Sequence, residues 1–190
     1  LKSKGFNDDE IVEAGLASKS KNKVFDKFRN RIMFPIIDVR NRVIGFGGRA
    51  LEEKDVKYMN SPETVVYKKN KSLYAMNLAK NTREDFVIVV EGYMDCISLH
   101  QAGFTNVIAS LGTSLTDNQA KMIKRVFGQA IIAYDNDAAG QNATLRGLDI
   151  LAGLGCVVKV LMLPAKDKFG NTIKDPDDFI RLMGKEEFKE

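Results

Sequence analysis

Two cysteines and a single histidine in 190 residues leave little for soft-metal chemistry. Cys96 and Cys156 stand far apart and only His100 adds an imidazole, so the usual four-ligand zinc site cannot be assembled within this fragment. Both thiols are expected to be buried and reduced, acting as small hydrophobes, and His100 is expected to pack or face solvent. No apolar run approaches the ~20 residues needed to span a bilayer. The opening Leu1-Lys2-Ser3-Lys4 leads into acids, not into a signal-peptide core. The expectation is a soluble, cytoplasmic protein with no membrane partner. A glycine cluster at Gly45, Gly47 and Gly48 is not followed by Gly-Lys-Ser/Thr, which excludes a P-loop. There is no internal repeat and no low-complexity tract. The start at Leu1 and the charged end, Glu186 to Glu190, suggest a piece of something longer.

What is present is a hydrophobic fraction of 44%, enough for one substantial core or two small ones, and an uneven charge. Residues 1–84 carry 18 Lys and Arg against 11 Asp and Glu, whereas residues 85–190 carry 11 against 14. A basic half beside an acidic half suits an enzyme that holds phosphates with cations while the reacting phosphate meets metal ions; an ordinary solvated surface is the plainer alternative.

Asn7 followed by Asp8, Asp9 and Glu10 predicts a short helix over 7–16. Lys19 to Lys23 is a polar, basic connector. Two β-rich runs, 32–39 and 42–46, flank Arg40-Asn41 and predict a hairpin that the three glycines end, either as a bend or where the backbone approaches a phosphate. Residues 57–72 are polar, turn at Ser61-Pro62, and mix Lys57, Lys68, Lys69 and Lys71 with Tyr58 and Tyr67, a pattern that suits a single strand of nucleic acid. From residue 85 strands expected at 86–90, 106–110, 130–134 and 157–163 alternate with helices near 93–102, 116–127, 140–154 and 177–183. That alternation implies a parallel sheet. Ala120, Ile123 and Phe127 form one apolar stripe, and Leu145, Leu148 and Leu151 another. Thr116 caps one helix and Gly155 closes the next.

Two acidic signatures follow strands. Glu91-Gly92-Tyr93-Met94-Asp95 leaves Phe86–Val90, and Asp135-Asn136-Asp137-Ala138-Ala139-Gly140 leaves Ala130–Tyr134. Ligands collect beyond the carboxyl ends of such strands. Two carboxylates ~4 Å apart repel by ~4 kcal/mol at an effective dielectric of about 20, so four gathered at one rim splay, take up protons or bind cations. Oxygen ligands select Mg²⁺ or Mn²⁺. Asp175-Pro176-Asp177-Asp178 is either a third acidic group or simply a capped helix start.

The Glu-Gly-Tyr-x-Asp and Asp-x-Asp-x-x-Gly pair resembles the Toprim module of topoisomerases, some nucleases and bacterial primases. Phe28-Arg29-Asn30-Arg31-Ile32-Met33-Phe34-Pro35-Ile36, Gly45-Phe46-Gly47-Gly48-Arg49 and Lys57-Tyr58-Met59-Asn60-Ser61-Pro62-Glu63-Thr64 resemble the catalytic core of bacterial DnaG-type DNA primases more narrowly, and the likeness runs over about residues 25–183. The resemblance implies an α/β fold, a Toprim Rossmann-like parallel sheet flanked by helices and preceded by a smaller basic α+β subdomain. It divides the chain into residues 1–84, 85–167 (Toprim) and 168–190, an acidic loop and the start of a helical segment. It implies a DNA-directed RNA polymerase that copies single-stranded DNA into short RNA primers from ribonucleoside triphosphates, with two or more Mg²⁺ or Mn²⁺ ions. Glu91, Asp135, Asp137 and Asp95 would be catalytic. Metal would be held by Glu91, Asp135, Asp137, Asp175 and Asp177. Arg29, Arg31, Arg49, Lys57, Asn60 and Lys69 would bind nucleic acid or nucleotide. Template DNA, RNA primer and, through a region outside this fragment, a replicative helicase would be partners. A strand-cleaving Toprim topoisomerase or nuclease, or a non-catalytic nucleic-acid-binding Toprim module, are the competing readings.

Overall fold

Asn7 accepts a hydrogen bond from Glu10 N (2.9 Å) while Glu10 Oε2 accepts one from Asn7 N (2.8 Å). This reciprocal cap starts α1 (Asp8–Glu13), which buries Ile11. The computed structural model describes residues 1–21, 23–112 and 114–190, and the chain falls into two compact units, residues 1–69 and 70–190.

In the first unit the expected connector at Lys19 to Lys23, of which Asn22 lies outside the described residues, is instead part of a hairpin of β1 (Ala17–Ser20) and β2 (Lys23–Asp26). Charge along the segment hid a strand pair whose inward residues are Ala17, which is buried, and Val24, half-buried. The hairpin around Arg40-Asn41 forms as expected from β3 (Arg31–Ile37) and β4 (Val43–Ala50). Asp38 holds its turn by accepting from Arg40 N (2.8 Å) and Arg42 N (3.0 Å), and Asn41 takes the left-handed conformation. The three glycines do not end this hairpin. β4 runs through them to Ala50 and pairs on its far side with β5 (Tyr58–Asn60), giving a three-stranded antiparallel sheet in the order β3-β4-β5. The glycines make room for neighbours. A Cβ on Gly45 would stand 3.2 Å from the Tyr67 ring, and one on Gly48 would stand 2.9 Å from Arg31 Cδ and 3.0 Å from Phe28 Cδ1.

The second unit is built on four parallel strands, β6 (Phe86–Val90), β7 (Val107–Ala109), β8 (Gln129–Ile132) and β9 (Val157–Val160), in the order β7-β6-β8-β9. The sheet is flanked by α2 (Met76–Ala79), α3 (Tyr93–Gln101), α4 (Asp117–Lys124), α5 (Ala138–Gly153) and α6 (Pro176–Lys189). The chain leaves β6 toward one edge and returns for β8 on the other side, so the strand order reverses between β6 and β8. A doubly wound sheet opens its crevice at such a point.

Val87, Val89, Ile108, Ala120, Ile123, Phe127, Ala130, Ile132 and Leu151 form the core of this unit. Leu145 does not join it. It is 63% exposed, because α5 lays Gly140, Gly147 and Leu151 on the sheet, and the small Gly147 lets Ile132 approach. Residues 70–84 pack with this unit, through Tyr74, whose backbone exchanges hydrogen bonds with Ala109 (2.9 and 3.2 Å). At the other end, Phe179 and Phe188 of α6 make edge contacts with each other (5.5 Å), and Phe188 with Phe104 (5.1 Å). Cys96 and Cys156 are buried and free, and His100 Nε2 lies 2.9 Å from Val107 O. Among the described residues no helix is long and apolar enough to cross a membrane.

Candidate active site and nucleic-acid surface

The residue after β6 is Glu91 and, after β8, the chain reaches Asp135, so the two acidic signatures open side by side at the strand-order reversal. Asp135 N donates to Glu91 Oε1 (3.3 Å). Gly140 makes this closeness sterically allowed: a Cβ there would stand 2.1 Å from Asp135 O and 2.9 Å from Glu91 Oε1. Each remaining acid is placed by the start of a helix. Asp95, in the first turn of α3, accepts from Gly92 N (3.1 Å). Asp137 caps α5 through Gly140 N (2.7 Å). Asp175 caps α6 through Asp178 N (2.7 Å), with Pro176 at the first helical position. The positive ends of three helix dipoles thus meet the carboxylates and offset part of their charge.

The third acidic group is both a helix start and part of the cluster. Asp177 N donates to Asp95 Oδ1 (3.3 Å), and Ser98 Oγ donates to Asp177 Oδ1. Burial, then the charges of Asp95, Glu91, Asp175 and Asp137, push Asp135 up to about 7. Asp95, 6% exposed, is likewise raised to about 7 by burial and then by Asp175. Glu91 is raised by burial and Asp137, and Asp175 by burial, partly offset by its cap and by Arg181. Asp135 is therefore the hub on which the other acids act. Its buried Oδ1 has no hydrogen-bond partner among the described residues.

An all-oxygen donor set of this charge fits a hard divalent cation. Among the described residues no three carboxylate, thiol or imidazole groups stand close enough to clasp an ion as placed, so a cation would require these side chains to turn inward. Two residues to which the sequence assigned no role complete the arrangement. Asn136 donates its backbone N–H to Lys174 O (2.8 Å) and Nδ2 to Leu163 O (3.2 Å), tying the loop before α6 to the second signature. Ser98 reaches 79 residues along the chain to Asp177. Neither carries a periodic or compositional signal; Ser98 is discernible only as a small polar residue one turn beyond Asp95.

The first unit gathers part of the basic set. The register aligns Ile32, Arg49 and Tyr58 across the sheet, and Phe34, Gly47 and Asn60 beside them, so Arg49, Tyr58 and Asn60 share a face. Arg49 and Lys57 each lie 5.8 Å from the Tyr58 ring centroid. Arg31 belongs to the opposite face, where it crosses Gly48 and donates to Val56 O (2.6 Å) and Gly48 O (3.3 Å). Arg29 stacks on Phe25 (5.8 Å), and Lys69 donates its backbone N–H to Glu63 (2.7 Å). Tyr67 is wholly buried, with burial raising its hydroxyl to about 12. It fills the space over Gly45 and offers no ring for stacking.

The parallel sheet with acids at its reversal point defines the class: a family model described as Toprim-like matches residues 88–180, and one described as the DNA primase catalytic core, N-terminal domain, matches residues 1–80. Relatives agree. The DNA primase of Clostridium acetobutylicum is 52% identical over 189 residues, 99% of this chain and 30% of that protein. The E. coli primase catalytic core superposes with a TM-score of 0.87 at 38% identity, covering 100% of this chain and 61% of that one. A DnaG primase catalytic domain bound to ssDNA gives 0.87 at 38% identity, covering 100% and 60%. The chain belongs to the DnaG-type DNA primases, within their catalytic core. It spans about a third or less of the length of the curated relatives it matches.

Proposed function

We propose that this chain is the part of a bacterial DNA primase core that carries out metal-dependent nucleotidyl transfer, joining ribonucleotides into short primers on single-stranded DNA. The observation that carries this reading is the hub at Asp135: a half-buried carboxylate whose Oδ1 is buried and has no partner among the described residues, pressed by four other carboxylates at the reversal point of the sheet. Glu91, Asp135 and Asp137 would hold divalent cations, Mg²⁺ or Mn²⁺, with Asp95, Asp175 and Asp177 supporting the pocket or a further ion. Bound there, such ions supply electrophilic assistance to in-line displacement at phosphorus, in which a ribonucleotide 3′-hydroxyl attacks and pyrophosphate leaves.

The chain's own residues do the positioning. Gly140 lets the α5 start close on Glu91 and Asp135, while Asn136 fixes the loop that brings Asp175. Arg49, Lys57 and Asn60 around Tyr58 form a surface for phosphates and a stacked base, and Arg29, Arg31 and Lys69 extend the basic set. Template DNA, the nascent primer and ribonucleoside triphosphates are the ligands of this reading; a replicative helicase would bind outside residues 1–190. Residues 1–84, 85–167 and 168–190 are proposed as its functional divisions.

The test is Glu91→Gln in the full-length enzyme that contains this chain. Primer synthesis from ribonucleoside triphosphates on a single-stranded template is expected to fall by at least two orders of magnitude, as for loss of one preorganised electrostatic partner. Unchanged synthesis removes Glu91 from the site.

A further inference from the structure

Between β9 and α6 the chain makes a hairpin whose base is tied down and whose tip displays an aromatic ring. Asn136 holds both legs of the base, at Leu163 O and Lys174 O. Lys166 and Thr172 pair in an antiparallel bridge, and Ile173 N donates to Ala165 O (3.0 Å). At the tip, Asp167 accepts from Phe169 N (2.8 Å), Asn171 N (2.8 Å) and Asn171 Nδ2 (2.7 Å), and Gly170 takes the left-handed conformation that closes the turn.

The apolar anchors of this hairpin are Leu163 and Ile173, 7% and 1% exposed; Phe169 is 78% exposed. A turn held this firmly does not need a phenylalanine at its apex, and the ring contributes nothing to the core. Its neighbours are basic. Lys168 Nζ lies 5.3 Å from the ring centroid, Lys166 sits on the bridge, and Lys174 on the returning leg, while the one acid in the segment 164–174, Asp167, is engaged with the turn itself. Phe169 lies five positions before Lys174, so their Cα atoms stand at most about 18 Å apart, and Lys174 O accepts from Asn136, which lies between the two aspartates of the acidic signature.

We propose that Phe169, with Lys166 and Lys168 beside it, is a stacking platform for a base of single-stranded nucleic acid threading to or from the acidic pocket. This rests on the proposed function, but on residues of the second unit and not on the Arg49 and Tyr58 set of the first. A ring on a preorganised turn loses little conformational freedom when a base stacks on it, and the lysines meet the flanking phosphates.

The experiment is fluorescence anisotropy of a short labelled oligothymidylate titrated with the full-length enzyme that contains this chain. Phe169→Ala is expected to weaken binding about five- to tenfold, the low end of what one lost base–aromatic stack costs, with the slope of log affinity against log salt unchanged. Phe169→Trp restores affinity, and Lys168→Ala lowers the salt slope by about 0.7, one single-strand phosphate. Unchanged affinity in Phe169→Ala, alongside weakening in Arg49→Ala, overturns the platform, leaves the proposed function standing, and points to a protein partner for the tip. Failure of Phe169→Trp to restore a lost affinity also overturns it. A parent chain that binds no single strand overturns both readings.

Discussion

Asp95→Asn separates the cost of the acidic cluster from its architecture. Asp95 is raised from an ordinary value of 3.8 to about 7, so between about pH 4 and pH 7 the folded chain holds a proton that the unfolded chain releases. Stability from this site is therefore fully present below about pH 4 and is lost as pH rises through 7. At 1.36 kcal/mol per pH unit the ionised folded form is disfavoured by about 4 kcal/mol at pH 8. The amide removes that cost but keeps only one of the two accepting oxygens, now used by Gly92 N and Asp177 N, and the lost or opposed hydrogen bond costs about 1 to 2 kcal/mol. The two curves must cross. Asp95→Asn is expected to be about 2 to 3 kcal/mol more stable than the parent at pH 8, about as stable near pH 5, where the two curves cross, and about 1 kcal/mol less stable near pH 4. Urea unfolding followed by circular dichroism, at several pH values in chelator, measures this directly. Added Mg²⁺ should restore the parent at pH 8 more than it stabilises the variant. Parallel pH profiles for the two proteins would refute the reasoning, since they would mean that ionised Asp95 sits in the fold at no cost.

Gly140→Ala places a Cβ 2.1 Å from Asp135 O; it should lower stability by about 3 kcal/mol or more and abolish the Mg²⁺-induced rise in melting temperature, read by thermal unfolding with and without the ion. Ile123→Ala, deep in the parallel-sheet core, should cost about 2 to 5 kcal/mol in urea unfolding. Arg49→Ala should weaken single-strand binding and reduce its salt slope by about 0.7, measured by anisotropy across ionic strengths, whereas Arg31→Ala, which removes the Nη1 donor to Gly48 O and Val56 O, should in addition lower stability in thermal unfolding.

The parallel sheet was legible because its strands announce themselves as apolar runs, β6 and β7 being buried on both faces, and because β6 and β8 are followed by acid and glycine. Thr116, Asn7 and Asp175 announced helix starts for equally local reasons. What escaped was set by tertiary contact. Gly45, Gly47 and Gly48 look like a break in one dimension, and only the Tyr67 ring and the Arg31 and Phe28 side chains explain why a strand runs through them. Leu145 fits a helical stripe on paper, but Gly140 and Gly147 decide which side of α5 lies down. In the site, adjacency of the two strand-end signatures followed from the fold, while Asn136 and Ser98 bind partners 27 and 79 residues away that no spacing rule connects.

Asp137 and Asp175 each cap a helix, Asp95 holds the cap residue of a third through Gly92 N, and all three face the acidic hub. Replacing one by alanine removes a charge and uncaps a helix at once, so an alanine scan would record frayed α3, α5 and α6 as though it had recorded lost chemistry. Asparagine caps as well as aspartate does, and the amide series is the one in which an inactive variant still carries an intact scaffold. Sequence drift meets the same restriction: at these three positions the tolerated alphabet is narrowed twice, by the backbone beneath and by the pocket above.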